Sequence, residues 1–177
     1  MGSHYKVIGN TLTHTPPNVS INIRRTQNPI QDLTSDVTER MIANNLVVNI
    51  ITNSKDDAVE ISNVLNNDDE LSSRNLRSAW LTSDCTLSER TTTVQAWREG
   101  EYQSLASTFN CGTDSSKTNG VDYKGVPRGA VAALQGMGRV RPHQQRGLAT
   151  LINYWVPRSN QPINDDEWER NVSYMKA

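Results

Sequence analysis

Cysteine is nearly missing from this 177-residue chain: Cys85 and Cys111 are the whole complement, and they lie far apart in sequence. That excludes a disulfide framework and a multi-cysteine zinc site, and it fits a reducing compartment. The histidines, His4, His14 and His143, are scattered, so metal-ligand spacing is missing too. No apolar run approaches membrane-spanning length, and no signal-peptide pattern is present. A soluble intracellular protein is expected, nuclear in a eukaryote and cytoplasmic otherwise. The chain also lacks the G-x-x-x-x-G-K-S/T loop that cradles phosphates and the G-x-S-x-G nucleophile elbow. A net charge of -1 rules out polyanion binding by the chain as a whole, so any nucleic-acid role must come from local charge. The apolar fraction is low at 35%, which implies a modest core, and the length suits one domain with short extensions.

What is present is an alternation of strand and helix signals. "NVSINIRR" alternates like a half-buried strand, and Asn28-Pro29 reads as an N-cap followed by proline in the first helical turn. Ile30, Leu33, Val37 and Met41 recur at helical spacing, predicting a helix over 29–43. "NLVVNIIT" (45–52) is the compact β-branched run of a strand buried on both faces. Ser54 with Asp57 has capping-box spacing, and Ala58, Ile61, Val64 and Leu65 carry a helix onward until "NNDDE" ends it. "LRSAWLT" (76–82) predicts the next strand. Thr86 with Glu89 repeats the capping box, Leu87, Val94 and Trp97 ride one face of a helix, and Gly100 stops it. A short strand over 101–107, a polar loop from Thr108 to Asp122, a helix from Pro127 through Val131 and Leu134, and a strand over 147–155 complete the series. Such alternation implies a parallel sheet with helices on both faces, and ligands at the carboxyl ends of its strands.

Three stretches invite a functional reading. "ALQGMGRVRPHQQRG" (133–147) holds three arginines and a histidine, and no acid occurs between Asp122 and Asp165. Guanidinium groups present planar forks of donors suited to phosphate, although a solvated basic face or pairing with distant carboxylates is also open. The long loop ending "NGVDY" carries Gly112, Gly120 and Asp122. "TNSKDD" (52–57) is a strand end leading into a helix N-terminus, where Asp56 and Asp57 already compensate the helix dipole.

Taken in order, "IITNSKDDAVEISNVL", "LTSDCTLSERTTTVQAWREGEYQSLAST", "NGVDY" and "QGMGRVRP" resemble the second RecA-like lobe of a superfamily 2 helicase, most of all the RecQ-like group. The resemblance covers roughly residues 5 to 155. It implies an α/β three-layer RecA-like lobe with a mainly parallel sheet and no P-loop of its own. Residues 1–18 would be a linker, 19–156 the lobe, and 157–177 a polar tail. "IITNS" resembles motif IV and "AST…NGVD" motif V, which implies contacts from Asn53 and Thr108 to a single-strand DNA backbone. Gly120, Asp122 and Gly138 would fall on the nucleotide side. "QGMGR" resembles motif VI, whose arginines reach ATP phosphates held by the other lobe. Arg139 matches its first arginine, and Gln135 would orient the cleft. The position three residues after Arg139 is Pro142, and Arg141 sits one residue early. ATP and Mg would both be held mainly by a first lobe, supplied in cis or in trans, and this chain alone is not expected to be active. The other implied partner is DNA, with no membrane. The alternatives are a degenerate, non-enzymatic module that binds single-stranded nucleic acid, and an unrelated α/β domain that binds a small anion.

Overall fold

The computed structural model describes residues 19–108, 111, 117–125 and 149–155. The expected linker, the helix from Pro127, the arginine stretch 133–147 and the polar tail lie outside the described residues. The elements are β1 (Val19–Arg25), α1 (Pro29–Asn44), β2 (Val48–Thr52), α2 (Lys55–Asn66), α3 (Asp69–Ser73), β3 (Ser78–Leu81), α4 (Leu87–Glu99), β4 (Ser104–Thr108), β5 (Gly120–Lys124) and β6 (Ala149–Trp155). The six strands form one sheet in the order β1-β6-β5-β2-β4-β3, and every pairing is parallel. Among the described residues no helix is long and apolar enough to cross a membrane.

Side-chain parity along the strands sorts the core into two layers. Val48 and Ile50 of β2 and Ala106 of β4 face Leu33, Val37 and Met41 of α1 and Ala58, Ile61 and Leu65 of α2. Ala79 and Leu81 of β3 and Leu105 of β4 point the other way, onto Trp97 of α4. The sheet is therefore covered on both faces, as a parallel sheet requires. Each fully buried aliphatic side chain here contributes roughly 1.5–3 kcal/mol, and Leu33, Val37, Ile50 and Ile61 all have no exposure.

Local chemistry explains most element ends, and it corrects several expectations. Asn28 occupies the N-cap of α1 but makes no side-chain cap. The work falls to Thr26, whose Oγ1 accepts from the Asn28 backbone N–H at 2.9 Å and donates to Asp32. Only half of the capping box forms at α2: Ser54 Oγ accepts from Asp57 N at 3.4 Å, but the Asp57 carboxylate turns to Lys124. At α4 both halves form between Thr86 and Glu89, and these bonds hold the Glu89 carboxyl below its usual pKa. The block "NNDDE" does not simply end α2. Asp68 caps a further short helix, α3, by accepting from Leu71 N at 2.9 Å, and Leu71 is buried. Leu87 is 81% exposed and lies off the buried face of α4, which is made by Ala96 and Trp97. The strand expected from residue 101 begins at Ser104, because residues 101–103 form the turn out of α4. The polar loop after Thr108 ends three residues earlier than expected: Gly120 and Asp122 belong to β5, between β2 and β6.

At one edge of the sheet the Asn66 amide brackets β3. Its Nδ2 donates to the Ser78 carbonyl at 2.9 Å and its Oδ1 accepts from Ser78 N at 2.8 Å.

Gly100 closes α4 in the left-handed region (φ 89), and a Cβ there would lie 2.6 Å from Lys117 Nζ, which donates to the Glu99 carbonyl at 2.8 Å. Gly100→Ala should therefore destabilise the fold by about 1–2 kcal/mol, measured by urea unfolding. An unchanged midpoint would mean that this turn is not held as described.

Candidate functional site

The carboxyl ends of β2, β4 and β5 make one rim, because Thr52 is in register with both Thr108 and Lys124. Asn53 follows Thr52 directly and is exposed, and Thr108 is partly exposed. The two residues expected to touch a nucleic-acid backbone are thus brought together on adjacent strand ends. Gly125 lies in the left-handed region (φ 99), and a Cβ at that position would sit 3.0 Å from Asn53 Nδ2. Glycine thus lets the Asn53 amide lie over the end of β5. Thr52 is buried, and its hydroxyl donates to the Ser54 carbonyl at 2.6 Å, fixing the turn into α2.

Charge at this rim is largely balanced. Lys124 Nζ meets Asp57 Oδ2 at 2.6 Å, with both side chains mostly buried. Lys55 Nζ meets Asp84 Oδ1 at 2.5 Å in an exposed pair, which contributes little to stability. Lys55 and Lys124 are thus both already engaged by carboxylates. Among the described residues no group of three or more His, Cys, Asp or Glu is placed to hold a metal ion. The rim offers hydroxyls, an amide and paired charges, a donor set that suits hydrogen bonding to phosphate or sugar.

Gly120 and Asp122 are not at this rim. Gly120 is in register with Val48 at the amino end of the sheet, four residues or roughly 13 Å along the strand from Lys124. Asp122 stands mid-strand under α1 with no exposure. Its Oδ2 is bonded to the Arg40 guanidinium, while among the described residues its Oδ1 has no hydrogen-bond partner. Arg40 Nε reaches Asp36 at 3.3 Å, and Arg24 reaches Asp36 at 3.0 Å, so alternating charges lead from the sheet interior to the surface. Burial pushes the Asp122 carboxyl up to about 6, against the opposing pull of Arg40. Arg40 has no sequence mark of this role. It is 82 residues from its partner, and its only local signal is Asp36 one helical turn before it. Gln135, Gly138, Arg139 and Arg141 lie outside the described residues.

No protein-family model matches the chain, and no curated protein matches it. Solved structures do. Domain 2 of the DEAD-box helicase Mss116p, bound to an RNA duplex, is similar with a TM-score of 0.63 at 13% identity, over 90% of this chain and 69% of that one. The Mycobacterium smegmatis helicase Lhr, bound to single-stranded DNA and AMP-PNP, is similar with a TM-score of 0.59 at 15% identity, over 77% of this chain. That match spans only 19% of Lhr. At such identities the likeness establishes the fold, which is that of the second RecA-like domain of helicases.

The Asp122 carboxyl gives a pH test. A carboxyl whose folded pKa exceeds its unfolded value of 3.8 binds its proton more tightly when folded, so its contribution is full below 3.8 and is lost as pH rises through about 6. The stability advantage of the wild type over Asp122→Asn should therefore shrink between pH 4 and pH 6 in urea unfolding. An advantage that grows over that range would show that Arg40 outweighs burial.

Proposed function

We propose that this chain is the second RecA-like lobe of a RecQ-like, superfamily 2 DNA helicase. It supplies arginines to an ATP site, and a strand-end rim to a DNA groove, that a first lobe completes in cis or in trans. The observation that carries this reading is a coincidence of fold and motif order. The segments that resemble motifs IV and V end on adjacent parallel strands, so Asn53 and Thr108 share one rim of a sheet with the helicase domain 2 fold. In Lhr and Mss116p that fold occurs in proteins bound to nucleic acid.

In this arrangement Asn53 and Thr108 offer neutral donors to a strand backbone. Arg139, backed by Gly138 and oriented with Gln135, presents a guanidinium to the phosphates of a nucleotide held by the first lobe, and Arg141 adds a second cation. A fixed guanidinium stabilises the charge that develops during phosphoryl transfer. Asp122 serves the site indirectly by tying β5 to α1 through Arg40. Nucleotide and magnesium are held by the first lobe, since this chain carries no phosphate-cradling loop.

A second reading rests on one observation: Pro142 stands where the motif's second arginine is expected. A lobe altered at that point would keep its backbone contacts and lose coupling, leaving a module that binds single strands with strong salt dependence.

The chain alone should not hydrolyse ATP, whereas with a RecQ-type first lobe DNA-stimulated hydrolysis should appear. In that complex Arg139→Ala should lower turnover by on the order of a thousandfold with little change in ATP binding. Robust hydrolysis by the isolated chain would overturn the assignment. Salt-sensitive single-strand binding with no hydrolysis in the complex would favour the second reading.

A further inference from the structure

The two cysteines, remote in sequence, are matched in the fold. β3 and β4 are adjacent parallel strands whose last paired residues are Leu81 and Ser107. The carbonyls of the residues that follow, Thr82 and Thr108, each accept a backbone bond from one of the cysteines. Cys85 N donates to the Thr82 carbonyl at 3.2 Å, and Cys111 N donates to the Thr108 carbonyl at 2.9 Å. Each cysteine thus stands four residues beyond the last residue that pairs β3 with β4. Both pack against the same cluster of Ala79, Leu81, Trp97 and Leu105 on the α4 face of the sheet. Equal offsets from strands roughly 4.8 Å apart keep the two backbones near the separation a disulfide needs. Both cysteines are free and only partly buried.

We infer that Cys85 and Cys111 form a redox-active dithiol that closes to an intramolecular disulfide in exchange with a low-molecular-weight disulfide such as oxidised glutathione. The step balances. One cysteine thiolate attacks the glutathione disulfide, breaking its S–S bond and releasing one glutathione thiolate. The second cysteine thiolate then attacks the mixed disulfide at the protein sulfur and releases the other. The protein loses two protons and two electrons, and the glutathione disulfide gains both as two thiols. The new bond joins the segments that follow β3 and β4. This inference does not rest on the chain acting on nucleic acid.

The test is equilibration of the full chain in glutathione buffers of graded redox ratio, followed by acid quenching, intact mass measurement and peptide mapping. The folded chain should lose both thiols together, lose two hydrogens in mass, and yield a peptide pair linked through Cys85 and Cys111. Closure should occur at a ratio at least about tenfold more reducing than for the same chain in urea, because folding brings the thiols together. In Cys111→Ser the remaining thiol should stop at a single glutathione adduct. Two adducts per folded chain, linkage between chains, or closure no easier folded than unfolded would each overturn the inference.

Discussion

A strand with neighbours on both edges and five consecutive buried residues meets water nowhere, and β2 is such a strand. Its backbone groups must be satisfied by β4 and β5, and both of its faces must be covered by helices. That requirement places α1 and α2 on one side of the sheet and α4 on the other. It also sends all the intervening connections around the same two ends, so that one end collects the residues following β2, β4 and β5. The rim carrying Asn53 and Thr108 is thus a by-product of burying "VNIIT".

The segments legible in the sequence were those whose pattern answers to local physics. The period of Leu33, Val37 and Met41 marks α1, the β-branched run marks β2, and the Thr86–Glu89 spacing and Gly100 mark the two ends of α4. What escaped was set by distant partners. β5 is five residues long with a glycine at its start and an aspartate at its centre, a composition that reads as loop. Only its seat between β2 and β6, and the Arg40 guanidinium waiting under α1, make that aspartate tolerable in a strand. Ser54–Asp57 shows the same effect at short range: the spacing for a reciprocal cap is present, yet Lys124, 67 residues away, takes the carboxylate. Of the expected site, the placing of Asn53 and Thr108 at one end of the sheet could be reached from the order of strands and motifs alone. The separation of Gly120 and Asp122 from that rim could not, since it depends on where β5 begins.

The Arg40–Asp122 pair combines two demands that conflict in energy. Removing a carboxylate from water is costly, and one guanidinium offsets that cost in part, which is why the carboxyl holds its proton up to about 6. Such a pair is a weak source of stability but a specific one, since a slip of β5 by one residue would turn Asp122 to the opposite face and leave both charges unmatched. Its value lies in fixing the register of a glycine-led strand whose own apolar content is small.

The bracket that Asn66 makes on Ser78 bears on the fate of the sheet's β3 edge. In a parallel strand successive residues direct their peptide groups to alternate sides, so Arg77, bonded to Gln103 and Ser104, points inward and Ser78 points outward. The Asn66 side chain therefore occupies one of the few outward peptide positions of a four-residue strand, in the manner of a neighbouring chain one amide long. Among the described residues this leaves a second molecule a shorter run of peptide groups to pair with. With a single amide at the end of α2, the chain takes up one of the sites at which a second molecule could add to this edge.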